Sequence, residues 1–144
     1  MGILSSEEQE RITHAVSLAE NRTSGEIRVV VENIVGKCTA LDKAAKYFEK
    51  LEMHKTGLRN GVLIYLAVAD HQFAIIGDKG INAKVEADFW ECTKEKMLLH
   101  FREGNYAKGL IEGIHQAGER LHVFFPRQED DVNELPNEVH FGSN

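Results

Sequence analysis

The stretch Arg59-Asn-Gly-Val-Leu-Ile-Tyr-Leu-Ala-Val-Ala-Asp-His-Gln-Phe-Ala-Ile-Ile-Gly-Asp-Lys-Gly-Ile81 decides the fold. Two runs rich in β-branched and aromatic residues, Val62–Val68 and Phe73–Ile76, flank a polar turn at Asp70-His71. This is the pattern of two adjacent antiparallel strands. Such a hairpin brings its outer ends together, so Arg59-Asn60-Gly61 lies beside Gly77-Asp78-Lys79-Gly80. A glycine-rich, charged corner at the end of a buried sheet is a natural place for binding or catalysis.

Upstream, Glu26–Val35 reads as a further strand whose consecutive valines indicate burial on both faces. Between it and the hairpin, Ala40–Met53 reads as a helix with Leu41, Ala44, Ala45, Phe48 and Leu51 on one face. A strand, a helix and a strand in so short a span make the two strands parallel, and the hairpin then makes the sheet mixed. Ser5-x-x-Glu8 is a capping box that opens a first helix running to about Asn21. Downstream, Val85, Phe89, Trp90, Met97, Leu98 and Phe101 predict one long helix, or two with a break near Cys92-Thr93. Gly104-Asn105 closes it, and a last helix runs from Tyr106 to about Phe125, burying Leu110, Ile111, Ile114, Ala117, Gly118 and Leu121, until Pro126 stops it. The order αβαββαα predicts an α/β fold, a three-layer α/β/α sandwich on a small mixed sheet, over residues 1–126. Residues 127–144 read as an acidic, solvated tail, with Leu135, Val139 and Phe141 available to pin it to the domain.

With 144 residues and 42% hydrophobic content, the chain has the make-up of one globular domain. Its net charge of −6 argues against a nucleic-acid partner, which needs clustered Lys and Arg. The start of the chain lacks a basic and an apolar signal region, and no apolar run reaches the spanning length of about 18 residues. These features predict a cytoplasmic protein without a membrane span. Cys38 and Cys92 form no CxxC pair and no zinc spacing, so reduced thiols are expected.

Strand polarity places candidate ligands. Glu26 and Asn60 precede two parallel strands, and Asp78 follows an antiparallel one, so all three reach one rim of the sheet. A helix entered near Asn82 is expected to carry Glu86 and Asp88 there in its first turns. Several carboxylates with an amide carbonyl make a hard-oxygen set suited to Ca²⁺ or Mg²⁺ rather than zinc. Acidic residues at helix starts and turns also occur without any metal. A second constellation, Glu112, His115, Glu119 and His122, shares one face of the last helix. That face lies opposite the apolar stripe and is expected to meet water. No Gly-x-Ser-x-Gly elbow, His-Glu-x-x-His or phosphate-cradling loop is present.

Ser24-Gly-Glu-Ile-Arg-Val-Val-Val31, Arg59–Val68, Ile75-Ile-Gly-Asp-Lys-Gly-Ile81 and Phe101-Arg-Glu-Gly-Asn-Tyr-Ala-Lys-Gly-Leu110 together resemble the TPM domain, known from plant thylakoid-lumen and bacterial proteins. The resemblance covers roughly residues 5–125, and the form ending in Asn133-Glu-Leu-Pro-Asn-Glu-Val139 is similar to small bacterial cytosolic members. It implies an α/β/α sandwich, a divalent cation, Ca²⁺ foremost, and an acid-phosphatase activity. Many members carry the glycine loop as Gly-Tyr-Gly-Leu-Glu-Gly, where this chain has Gly77-Asp-Lys-Gly80. Two functions are expected to compete: a cation-binding domain that hydrolyses phosphate esters, and a non-enzymatic module that recognises a protein partner.

Overall fold

The computed structural model describes residues 4–55, 57–86, 88–127 and 139–142. Helix α1 (Ser6–Glu20) begins at the Ser5 capping box: the Glu8 amide donates to Ser5 Oγ at 3.1 Å and the Ser5 amide to Glu8 Oε1 at 3.0 Å. Strand β1 (Glu26–Glu32) follows, buried along its whole length. Helix α2 (Ala40–Lys50), capped by Thr39, and a 3₁₀ turn (Met53–Lys55) lead to β2 (Gly61–Ala67), which hairpins into β3 (Gln72–Gly77). A single-turn helix α3 (Lys79–Asn82) precedes α4 (Phe89–Arg102) and α5 (Tyr106–Phe124). A two-residue strand, β4 (His140–Phe141), completes a sheet of order β3-β2-β1-β4.

β1 pairs parallel to β2 with Glu26 opposite Gly61, and β2 pairs antiparallel to β3 with Val62 opposite Gly77. Period-2 alternation sends Ile27, Val29, Val31, Val62, Ile64 and Leu66 to one face, against α1, α4 and α5. Val30, Leu63, Tyr65 and Ala67 point to the other, against α2. The fold is therefore the α/β/α sandwich read from the sequence.

Several boundaries differ. α2 turns Ala40, Ala44 and Tyr47 inward, leaving Leu41 59% exposed. The Thr39 cap sets this phase, and Tyr47 supplies the larger buried surface. α4 runs unbroken through Cys92-Thr93, and the interruption comes earlier, between Asn82 and Phe89. There the Asn82 side chain donates to Gly77 O at 2.7 Å and accepts from Trp90 Nε1 at 2.8 Å, which ends α3 and lets Val85 and Trp90 reach the core.

Val139 and Phe141 pack on the main core, and β4 pairs with β1. The acidic residues Glu129, Asp130, Asp131, Glu134 and Glu138, and Leu135, lie outside the described residues. Both cysteines are free thiols. Among the described residues, no helix is long and apolar enough to cross a membrane.

Candidate functional site

The corner named by the hairpin is built at the end of the sheet where β1 and β2 begin and β3 ends. Asp78 N–H donates to Gly61 O at 2.9 Å, continuing the β2–β3 pairing by one step. Asn60, buried, donates from Nδ2 to Ser24 Oγ at 3.4 Å and joins the approach to β2 with the approach to β1. Glu26, Asn60 and Asp78 thus share this end of the sheet.

Arg59 sits at φ 52°, a left-handed backbone that aims its side chain at Asp78. Its Nε donates to Oδ2 at 2.7 Å and its guanidinium NH2 group to Oδ1 at 3.0 Å, a bidentate pair. The Lys79 amide also donates to Asp78 Oδ1, at 2.7 Å, so Asp78 caps α3 as well. Burial raises the Asp78 pKa, but the Arg59 and Lys79 bonds outweigh it and hold the carboxyl below the usual aspartate range. Both Asp78 oxygens are therefore engaged.

Glu86 and Asp88 make other contacts. Contrary to the expected helix start, both lie in the connection between α3 and α4, because α3 closes after one turn. Glu86 is exposed and pairs with Arg120 of α5 at 3.5 Å. Asp88 occupies the N-cap position of α4 without a side-chain capping bond. Among the described residues, no group of three or more His, Cys, Asp or Glu side chains is placed to hold a metal ion. On α5, His122 Nδ1 lies 2.8 Å from Arg22 O, and Glu119 is 4.0 Å from the Arg22 guanidinium. His115 and Glu119 are exposed, as expected of this face, and its far end meets Arg22 just beyond α1.

The corner also contains a residue that no motif singles out. Glu20, the last residue of α1, is buried and accepts from Ile27 N–H at 2.7 Å through Oε2. Its side chain lies close enough to buried Glu26 to feel its charge. Burial, reinforced by the Glu26 charge, pushes the Glu20 pKa up to about 8, against the opposing pull of the Ile27 amide and Arg28. Burial beside Glu26 thus favours the protonated form of the Glu20 carboxyl. The sequence signal for it is a carboxylate in the last turn of a helix, where the helix dipole disfavours negative charge.

A second buried polar group occupies the α2 face of β1, where Glu26, Arg28, Val30 and Glu32 alternate inward. Glu32 Oε1 lies 3.4 Å from Lys43 Nζ, and burial, then the Glu32 charge, raises the Tyr65 pKa. His140 of β4 stacks edge-on against Tyr47, and burial, then Arg28 and Lys50, lowers its pKa. The charges within an otherwise apolar β1 are the sequence trace of this network.

The profile of the TPM domain matches residues 1–120. The chain belongs to the TPM domain family. This TPM domain is similar to the BA42 protein of the psychrophilic bacterium Bizionia argentinensis, at 46% identity over 96% of this chain and 95% of that one, with a TM-score of 0.89. It shares the fold of the N-terminal domain of cg2496 from Corynebacterium glutamicum, at 15% identity over 84% of this chain and 76% of that one, with a TM-score of 0.66. The N-terminal domain of a P. gingivalis protein matches at 23% identity over 83% of this chain and 77% of that one, with a TM-score of 0.68. No curated protein matches the chain.

Proposed function

We propose that this TPM domain binds a divalent cation, Ca²⁺ ahead of Mg²⁺, at the sheet end that holds Glu20, Glu26, Asn60 and Asp78. The observation that carries the reading is the burial of two neighbouring carboxyls, Glu20 and Glu26, whose raised affinity for a proton is also an affinity for a cation that replaces it. Carboxylate and amide oxygens form the hard donor set such an ion takes, and Ca²⁺ accepts the irregular geometry better than Mg²⁺. Asp78 joins the set when the partly exposed Arg59 side chain swings away, so cation and guanidinium compete for the same oxygens.

Because binding expels the Glu20 proton, affinity should rise with pH up to about 8 and level off above it. Calcium titration followed by amide NMR should first move residues 20–28, 58–61 and 77–79, and Glu26→Gln should abolish the response. Shifts confined to the Glu112–His122 face, or none at millimolar calcium, would rule the site out. Binding with no pH dependence would rule out the Glu20 role.

Phosphate-ester hydrolysis extends this reading, with the cation polarising the phosphoryl oxygens and Arg59 or Lys79 holding the anion. Turnover of a generic phosphate ester that is lost in folded Asp78→Ala supports the enzyme. Equal turnover in wild type and variant supports a non-enzymatic interaction module instead. That second reading is favoured by the prior engagement of both Asp78 oxygens with Arg59 and Lys79.

A further inference from the structure

At the opposite end of the sheet, beyond the carboxyl end of β2, a cavity of about 100 Å³ opens between the β2–β3 hairpin and the α4–α5 corner. Its walls are Leu66, Phe73, Leu98, Phe101 and Tyr106. Phe73 and Phe101 meet edge-to-face at 4.9 Å, and the Tyr106 ring lies 5.9 Å from Phe101. These contacts keep the walls preformed rather than collapsible. The exposed lining residues are both basic in type, Arg102 and His71. His71 is fixed by a left-handed turn, φ 53°, with its amide bonded to Val68 O at 3.2 Å. Outside the lining, Lys94 Nζ lies 5.9 Å from the centroid of the Phe73 ring and 3.9 Å from Glu91 Oε1. No Asp or Glu is among the lining residues.

We propose that this cavity binds a small organic carboxylate, its short branched apolar tail among the aromatic rings and its carboxylate on Arg102. Charge complementarity selects the anion, because an Arg guanidinium beside an apolar wall pairs a carboxylate through two parallel hydrogen bonds. Size selects the tail: a cavity of about 150 Å³ admits benzene, so this smaller one suits a branched chain of about four carbons. The carboxyl end of parallel strands is also where open α/β sheets commonly hold ligands. The site is separate from the Glu20–Asp78 corner, and its test needs no divalent cation.

3-Methylbutanoate titrated into the metal-free protein should shift the amides of residues 66, 71–73 and 98–106 in a saturable way. Its neutral counterpart 3-methylbutan-1-ol, which keeps the tail, and acetate, which keeps the charge, should each bind about tenfold more weakly. Arg102→Gln, a change at an exposed position, should bring 3-methylbutanoate down to the affinity of the alcohol. An absence of saturable shifts at tens of millimolar would overturn the proposal. So would equal binding of acetate, which marks only an exposed arginine, or an unchanged affinity in Arg102→Gln.

Discussion

Raising the pH from 5 to 9 should cost this protein on the order of a few kcal/mol of stability, and Glu20→Gln should remove most of that loss. The ordinary glutamate pKa of 4.5 applies in the unfolded chain, whereas burial beside Glu26 lifts it to about 8 in the fold. Between those values the folded state binds more protons than the unfolded one, so stability falls as pH rises. The contribution is complete below pH 4.5 and gone once pH passes through about 8. Gln at position 20 keeps a donor for Glu26 and an acceptor for the Ile27 amide but cannot ionise. Urea midpoints at several pH values give the test: a wild-type slope unchanged in the variant would contradict the acid pair. Asp78 limits the other side. Its lowered pKa means that its stabilisation is present above the unfolded value and is lost as pH falls, so the stability optimum lies between the two groups.

Gly80→Ala should be the most damaging single-methyl addition at the corner. A Cβ at this position would stand 2.2 Å from Leu58 O and 2.6 Å from Arg59 O. Those neighbours are backbone atoms, which cannot rotate away as a side chain can. Gly80 N–H also donates to Arg59 O at 2.7 Å, so separating the two segments breaks this bond and drags Arg59 from Asp78. A loss of about 2–4 kcal/mol is expected, in the range of overpacking with a broken polar network. Gly57→Ala makes a fair control, since nothing stands within 4 Å of its added Cβ. Thermal unfolding of the two variants should separate them clearly, and similar midpoints would show that the corner yields without strain.

The hairpin, the parallel β1–β2 pair and the two helical layers were legible in the sequence, because alternation and helical spacing are local properties. Strand polarity followed from them and set Glu26, Asn60 and Asp78 at one end of the sheet. The helix expected to carry Glu86 and Asp88 was not legible, because the end of α3 depends on Asn82 bridging Gly77 and Trp90, a bond between three segments. β4 was also illegible, since two residues carry too little periodicity to announce a strand.

By itself the sequence determined the fold class, the family and the location of the charged glycine corner, all of which rest on patterns within short windows. Only the tertiary structure decided the chemical state of that corner. It joined Glu20 to Glu26 across a turn and committed Asp78 to Arg59, contacts that set the proton affinity of each carboxyl. Burial and hydrogen-bond partners are three-dimensional quantities, and a carboxylate's pKa depends on them far more than on its sequence neighbours.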